Sequence, residues 1–165
     1  MKKMWLFILL MFCSVELVGC AVDPGSYYFN ADDLMEKVIK IELVECINEN
    51  PKLIIVKENS LPSFDFNKVK LVKELEEEKI QDFLNELSTV IFHIENESVN
   101  SPVGYAVLIY LQNNEIIVLS CTIINKIGYS MVASFTYEGN FIKHIAVFAN
   151  EPKFKKILLK YFEIK

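Results

Sequence analysis

The side chains able to do chemistry in this 165-residue chain are few and scattered. His93 and His144 are the two histidines, 51 positions apart, each inside a predicted strand. A shared role as base or metal ligand requires the fold to bring them together. Isolated in strands, they serve as ordinary structural residues. Cys46 and Cys121 also fall in predicted strands. Outside the cytoplasm they can form a disulfide if their Cα atoms come within about 7 Å. Cys121 lies in a strongly apolar strand, where a buried thiol is the competing reading. Glu76, Glu77 and Glu78 are consecutive. They lack the alternating Asp/Asn spacing and central Gly of a calcium loop, so they read as the solvated start of a helix.

No catalytic residue, metal-ligand set or cofactor site is assigned. The chain has no C-x-x-C, G-x-S-x-G, H-E-x-x-H, P-loop or G-x-G-x-x-G motif. Its five glycines offer little material for phosphate-cradling loops. The paired carboxylates of a hydrolase need only meet in space, and the sequence promotes no Asp or Glu pair over another.

Charge narrows the classes further. The 17 basic residues, all Lys, face 22 acidic ones, for a net charge of −5. From Cys20 onward the balance is 15 against 21, or −6. This argues against nucleic acid as a partner, because a phosphate backbone demands a basic face. It also argues against a domain lying flat on anionic lipid. The absence of Arg removes the usual bidentate grip on phosphate or carboxylate.

The N-terminus carries the clearest signal. Lys2 and Lys3 precede Trp5 to Val15, eleven uncharged and mostly apolar residues. That is the length of a signal-peptide core, and short of the roughly 20 residues needed to span a bilayer. Leu17-Val18-Gly19-Cys20 follows. The stretch resembles the lipobox of bacterial lipoprotein precursors. The resemblance covers about the first 20 residues and implies a thioether between Cys20 and diacylglycerol, with cleavage between Gly19 and Cys20. Cys supplies the sulfur nucleophile, and Gly19 leaves the backbone open to a peptidase. Glu16 departs from the pattern by placing a carboxylate just before it. Two other readings use the same residues: an uncleaved anchor over 5–22, and secretory cleavage after Ala21. Lipidation implies a membrane partner through the acyl chains, which anchor firmly when two or more are present.

The remaining elements must form the domain. Asp23-Pro24-Gly25-Ser26 is turn-forming and reads as part of a tether. Tyr27, Tyr28 and Phe29 read as packing onto the domain, with a sticky or interfacial patch as the alternative. Asn30 suits an N-cap for a short helix. The stretch 38–46 alternates as a strand, with Ile39, Ile41 and Leu43 on one side, and 68–75 alternates again. A short strand is expected near 52–58, and Pro62 begins a loop whose aromatics pin it to the core. Ile80, Phe83, Leu84 and Leu87 form a helical stripe. Strands are expected around 89–95, with hairpins turning at 112–114 and 139–140. A last helix begins near Pro152, with Asn150 as its cap and Phe154, Ile157, Leu158, Tyr161 and Phe162 as its apolar face. Its lysines also permit a membrane-surface reading, but the stripe is the natural cover for the sheet.

The expected class is α+β: a single antiparallel meander of about five to eight strands with two packed helices. The expected organisation is a signal peptide over 1–19, a lipidated N-terminus and short tether over 20–30, and one domain over 31–165. The mature part resembles small lipoproteins of Gram-positive bacteria, a likeness of overall pattern that carries over no functional residue. The expected role is a membrane-anchored extracytoplasmic binding or interaction module without catalysis, meeting an envelope protein or ligand. The alternative is a small cell-envelope hydrolase.

Overall fold

The computed structural model describes residues 25–46, 64–93, 104–121, 129–149 and 152–163. Within them the chain forms β1 (Ser26–Tyr27), α1 (Ala31–Met35), β2 (Val38–Cys46) and a 3-10 turn (Phe66–Lys68). Then follow β3 (Val69–Glu74), α2 (Glu77–Ser88), β4 (Phe92–His93) and β5 (Gly104–Leu111). The chain continues through β6 (Glu115–Cys121), β7 (Tyr129–Thr136) and β8 (Phe141–Ala149) to α3 (Pro152–Phe162). The class is α+β, as expected. Six strands pair antiparallel in the order β3-β2-β5-β6-β7-β8, and β1 and β4 form a separate two-stranded ribbon. From β5 to β8 the sheet is a plain meander. The expected strand near 52–58, the cap at Asn150 and the signal region lie outside the described residues.

Each face of the sheet has its own apolar cluster. On one side Ile41, Leu43, Val107, Ile109, Leu119 and Val132 pack with Phe83, Leu84 and Leu87 of α2 and with the whole apolar stripe of α3. α3 is therefore a core helix. Its Lys160 turns outward and pairs with Glu86 of α2, which also accepts a hydrogen bond from the Tyr161 hydroxyl at 3.0 Å. On the other side Val44, Cys46, Ala106, Leu108, Val118 and Phe135 pack with Phe64. The predicted pinning of the Pro62 loop by its aromatics is realised at Phe64, which is 2% exposed.

Turn chemistry sets the hairpins. Asn114 takes φ 63° between β5 and β6, a left-handed conformation that Asn tolerates. Gly139 takes φ 86° between β7 and β8, and its carbonyl accepts from the Phe64 N–H at 2.9 Å. A Cβ there would collide with the Phe64 carbonyl oxygen, so this position demands Gly on two grounds.

Three expectations change. Ile39 does not share the buried side of Ile41 and Leu43. A register shift between Val38 and Lys40 leaves it 54% exposed. A second shift skips Val72 in β3, and both Leu71 and Val72 stand exposed on this edge strand. Of the aromatics expected to pack onto the domain, Phe29 is buried but Tyr28 is 65% exposed, while the short helix expected after Asn30 is present as α1.

Candidate functional site

The described surface opens into a cleft of about 280 Å³ where the N-terminal segment crosses the tip of the β5–β6 hairpin. One wall is Tyr27, Tyr28 and Phe29, followed by Asn30, Asp33, Leu34 and Lys37 of the α1 region. The other is Leu111, Asn113, Glu115 and Ile117, with Lys143 from β8. Local bonds fix this geometry. Asn30 caps α1, its side-chain oxygen accepting from the N–H groups of Asp32 and Asp33 at 3.1 and 3.4 Å. Its amide nitrogen donates to Asp33 at 2.8 Å. The Gln112 N–H donates to the Lys37 carbonyl at 2.9 Å and ties the hairpin tip to α1. Glu115 accepts from Asn113 at 3.2 Å and pairs with Lys143 at 3.6 Å.

The result is a cleft lined by three aromatic rings, two carboxylates, two amides and two ammonium groups. Each carboxylate is already held by a neighbour, so neither is set out as a bare nucleophile or proton donor. Such a lining suits a small polar molecule with both donors and acceptors. Ser134 sits between Ile117 and Lys143 in the strand register, and both of these line the cleft. Ser134 is fully buried, and its hydroxyl has no hydrogen-bond partner among the described residues.

A second polar cluster lies where β2 pairs with β5. The register sets Lys40 across from Tyr110 and Glu42 between Leu108 and Glu74. Lys40 pairs with Glu42 at 2.5 Å, and its ammonium lies 4.4 Å from the Tyr110 ring centroid. The ring of Tyr137 meets Tyr110 edge-on at 5.8 Å, and its hydroxyl donates to the Leu111 carbonyl at 2.6 Å. Burial pushes the Tyr110 hydroxyl well above its ordinary range, helped by its hydrogen bond to Glu42 and by the nearby negative charges. Glu42 is only 8% exposed, a buried carboxylate compensated by an ammonium and a phenol. The sequence hid this cluster because Lys40 and Glu42 read as the solvent side of a half-buried strand. Glu42 is instead covered, and the sole signal was the unbroken apolar run of β5 beside it.

The residues singled out from the sequence do not converge. His93 is exposed on β4, opposite Ser26. His144 lies on β8, opposite Ala133; its side chain lies outside the described residues. β4 packs beside β8, so the two histidine-bearing strands are neighbours without a described contact between the rings. Cys46 is a buried free thiol, pushed up to about 11 by burial and by the charge of Glu45. Its proposed bridge to Cys121 fails on topology. Cys46 ends β2 and Cys121 ends β6, with β5 between them. Two strand spacings make about 9.6 Å, beyond the reach of about 7 Å for a disulfide. Glu76 stands at the start of α2 and pairs with Lys79, whose hydrogen bond and charge hold its carboxyl below the usual range. Among the described residues no group of three or more His, Cys, Asp or Glu side chains is gathered to hold a metal. No helix among them is long and apolar enough to cross a membrane. Gly19 and Cys20 lie outside the described residues.

The chain matches no protein-family model, no curated protein and no solved structure.

Proposed function

We propose that this protein is an extracytoplasmic lipoprotein, anchored through Cys20, whose domain binds a small polar ligand in the cleft between β1–α1 and the β5–β6 hairpin. The observation that carries the reading is the order of N-terminal features. Two lysines, an eleven-residue uncharged run and Leu17-Val18-Gly19-Cys20 stand directly ahead of a domain whose first strand begins at Ser26. The spacing supports it too. Ser26 lies six positions after Cys20, a reach of about 20 Å at full extension. Such a linker keeps the cleft beside the membrane.

A hydrolase has one observation in its favour: Glu42 faces Glu74 across β2 and β3, two carboxylates meeting in space. Glu42 is already occupied by Lys40 and Tyr110, which favours the binding reading. Metabolic labelling with a radioactive fatty acid tests the anchor. The wild-type chain is expected to take up label, the Cys13→Ser variant to keep it, and the Cys20→Ser variant to lose it. Label retained by Cys20→Ser, or none on the wild type, contradicts the proposal.

A further inference from the structure

The outward side of the β1–β4 ribbon carries two large, exposed apolar side chains. Ser26 pairs with His93 and Tyr27 with Phe92. The inward row is welded to the core by a ladder of edge-to-face rings. Tyr27 meets Phe29 at 5.1 Å, Phe29 meets Phe92 at 5.9 Å, and Phe92 meets Phe154 of α3 at 5.6 Å. The next residues outward, Tyr28 and Ile91, are 65% and 57% exposed, and Ser26 and His93 are exposed beside them. A large aromatic and a β-branched aliphatic side chain thus stand in water on a rigidly held ribbon.

Their place in the chain names the occupant. Ser26 begins this ribbon six residues after Cys20, so the surface cannot move more than about 20 Å from the anchor point. Tyr favours the boundary between water and hydrocarbon, where its ring is buried and its hydroxyl stays wet. Charge contributes little net pull. Lys153 donates to the Thr89 carbonyl at 2.9 Å, two residues before Ile91, while Asp33 and Lys37 line the cleft together with Tyr28. From Cys20 onward the chain carries −6. We infer that Tyr28 and Ile91 rest in the interfacial layer of the phospholipid bilayer that holds Cys20, fixing the orientation of the domain on the membrane. The inference rests on the lipoprotein reading.

The experiment uses the chain's single tryptophan, Trp5, which lies in the segment that reading removes. Tyr28→Trp then carries one reporter in the mature protein. Leu71→Trp is the control, because Leu71 is 52% exposed on β3, the sheet edge away from β8 and the ribbon. Each variant is extracted from membranes, its mass measured, and reconstituted into phosphatidylcholine vesicles with brominated acyl chains and a minor share of phosphatidylglycerol. The expected result is a lipid-bearing Cys20 with several-fold stronger bromine quenching in Tyr28→Trp than in Leu71→Trp, unchanged by high salt. Equal quenching with Cys20 lipidated overturns the docking surface and leaves the anchor standing. A Cys20 without lipid overturns both.

Discussion

At the scale of single residues, the described structure tolerates one buried hydroxyl without a partner and holds several acidic protons above their ordinary values. Ser134 is fully buried, with a hydroxyl that lacks a partner among the described residues. An unmet hydroxyl of this kind costs about 1–3 kcal/mol. Ser134→Ala is expected to raise the unfolding free energy by about 1 kcal/mol, read from urea denaturation; a loss of stability would mean the hydroxyl is satisfied in solution. The Tyr110 hydroxyl is held above its ordinary value of 10.0, first by burial and then by Glu42. Tyr27 and Tyr161 are displaced the same way, again chiefly by burial. The sign follows directly. The folded state holds these protons more tightly, so their contribution is complete below pH 10 and is lost as pH rises above it. Stability is expected to fall on alkaline titration, and Tyr110→Phe to make that fall shallower. Cys46, with its thiol raised to about 11, is expected to resist iodoacetamide in the native protein at neutral pH and to react on unfolding.

At the scale of elements, patterning was legible wherever one side of a segment had to be buried. The stripe of α2 was readable, and Phe83, Leu84 and Leu87 are fully buried. So was the stripe of α3, and so were the hairpin turns at Asn114 and Gly139. Register shifts were not legible, because they depend on pairing between strands. Ile39 and Leu71 fit their local alternation, yet both stand exposed beside the shifts at the β2–β5 and β2–β3 contacts. The cleft was invisible for the same reason: it joins residues from the N-terminal segment, the β5–β6 tip and β8. Two variants test the packing. Leu84→Ala is expected to cost about 2–5 kcal/mol, since Leu84 is buried between α2 and the sheet. Gly139→Ala forces a strained φ and a collision with the Phe64 carbonyl, and is expected to cost more than about 1 kcal/mol. A thermal melt reads both, and a neutral Gly139→Ala would mean the Phe64 loop is not held there.

At the scale of the whole molecule, the address is proposed from the N-terminal residues and the binding role from the cleft. The sequence pointed to an anchored, extracytoplasmic α+β domain, and the structure bears on the domain alone. Its ribbon, fixed by the ring ladder from Tyr27 to Phe154, is the part covalently nearest to Cys20. Tyr28 belongs both to the outward side of that ribbon and to the wall of the cleft. One segment would thus anchor the domain, orient it and help form its binding site. The cleft needs no metal and no activated nucleophile to act as a binding site. All of this depends on where the mature chain begins, and intact-mass measurement of the protein extracted from membranes tests that directly. The account predicts a chain starting at Cys20 and carrying the mass of its acyl chains. A mature N-terminus at any other residue, or an unmodified Cys20, would contradict it.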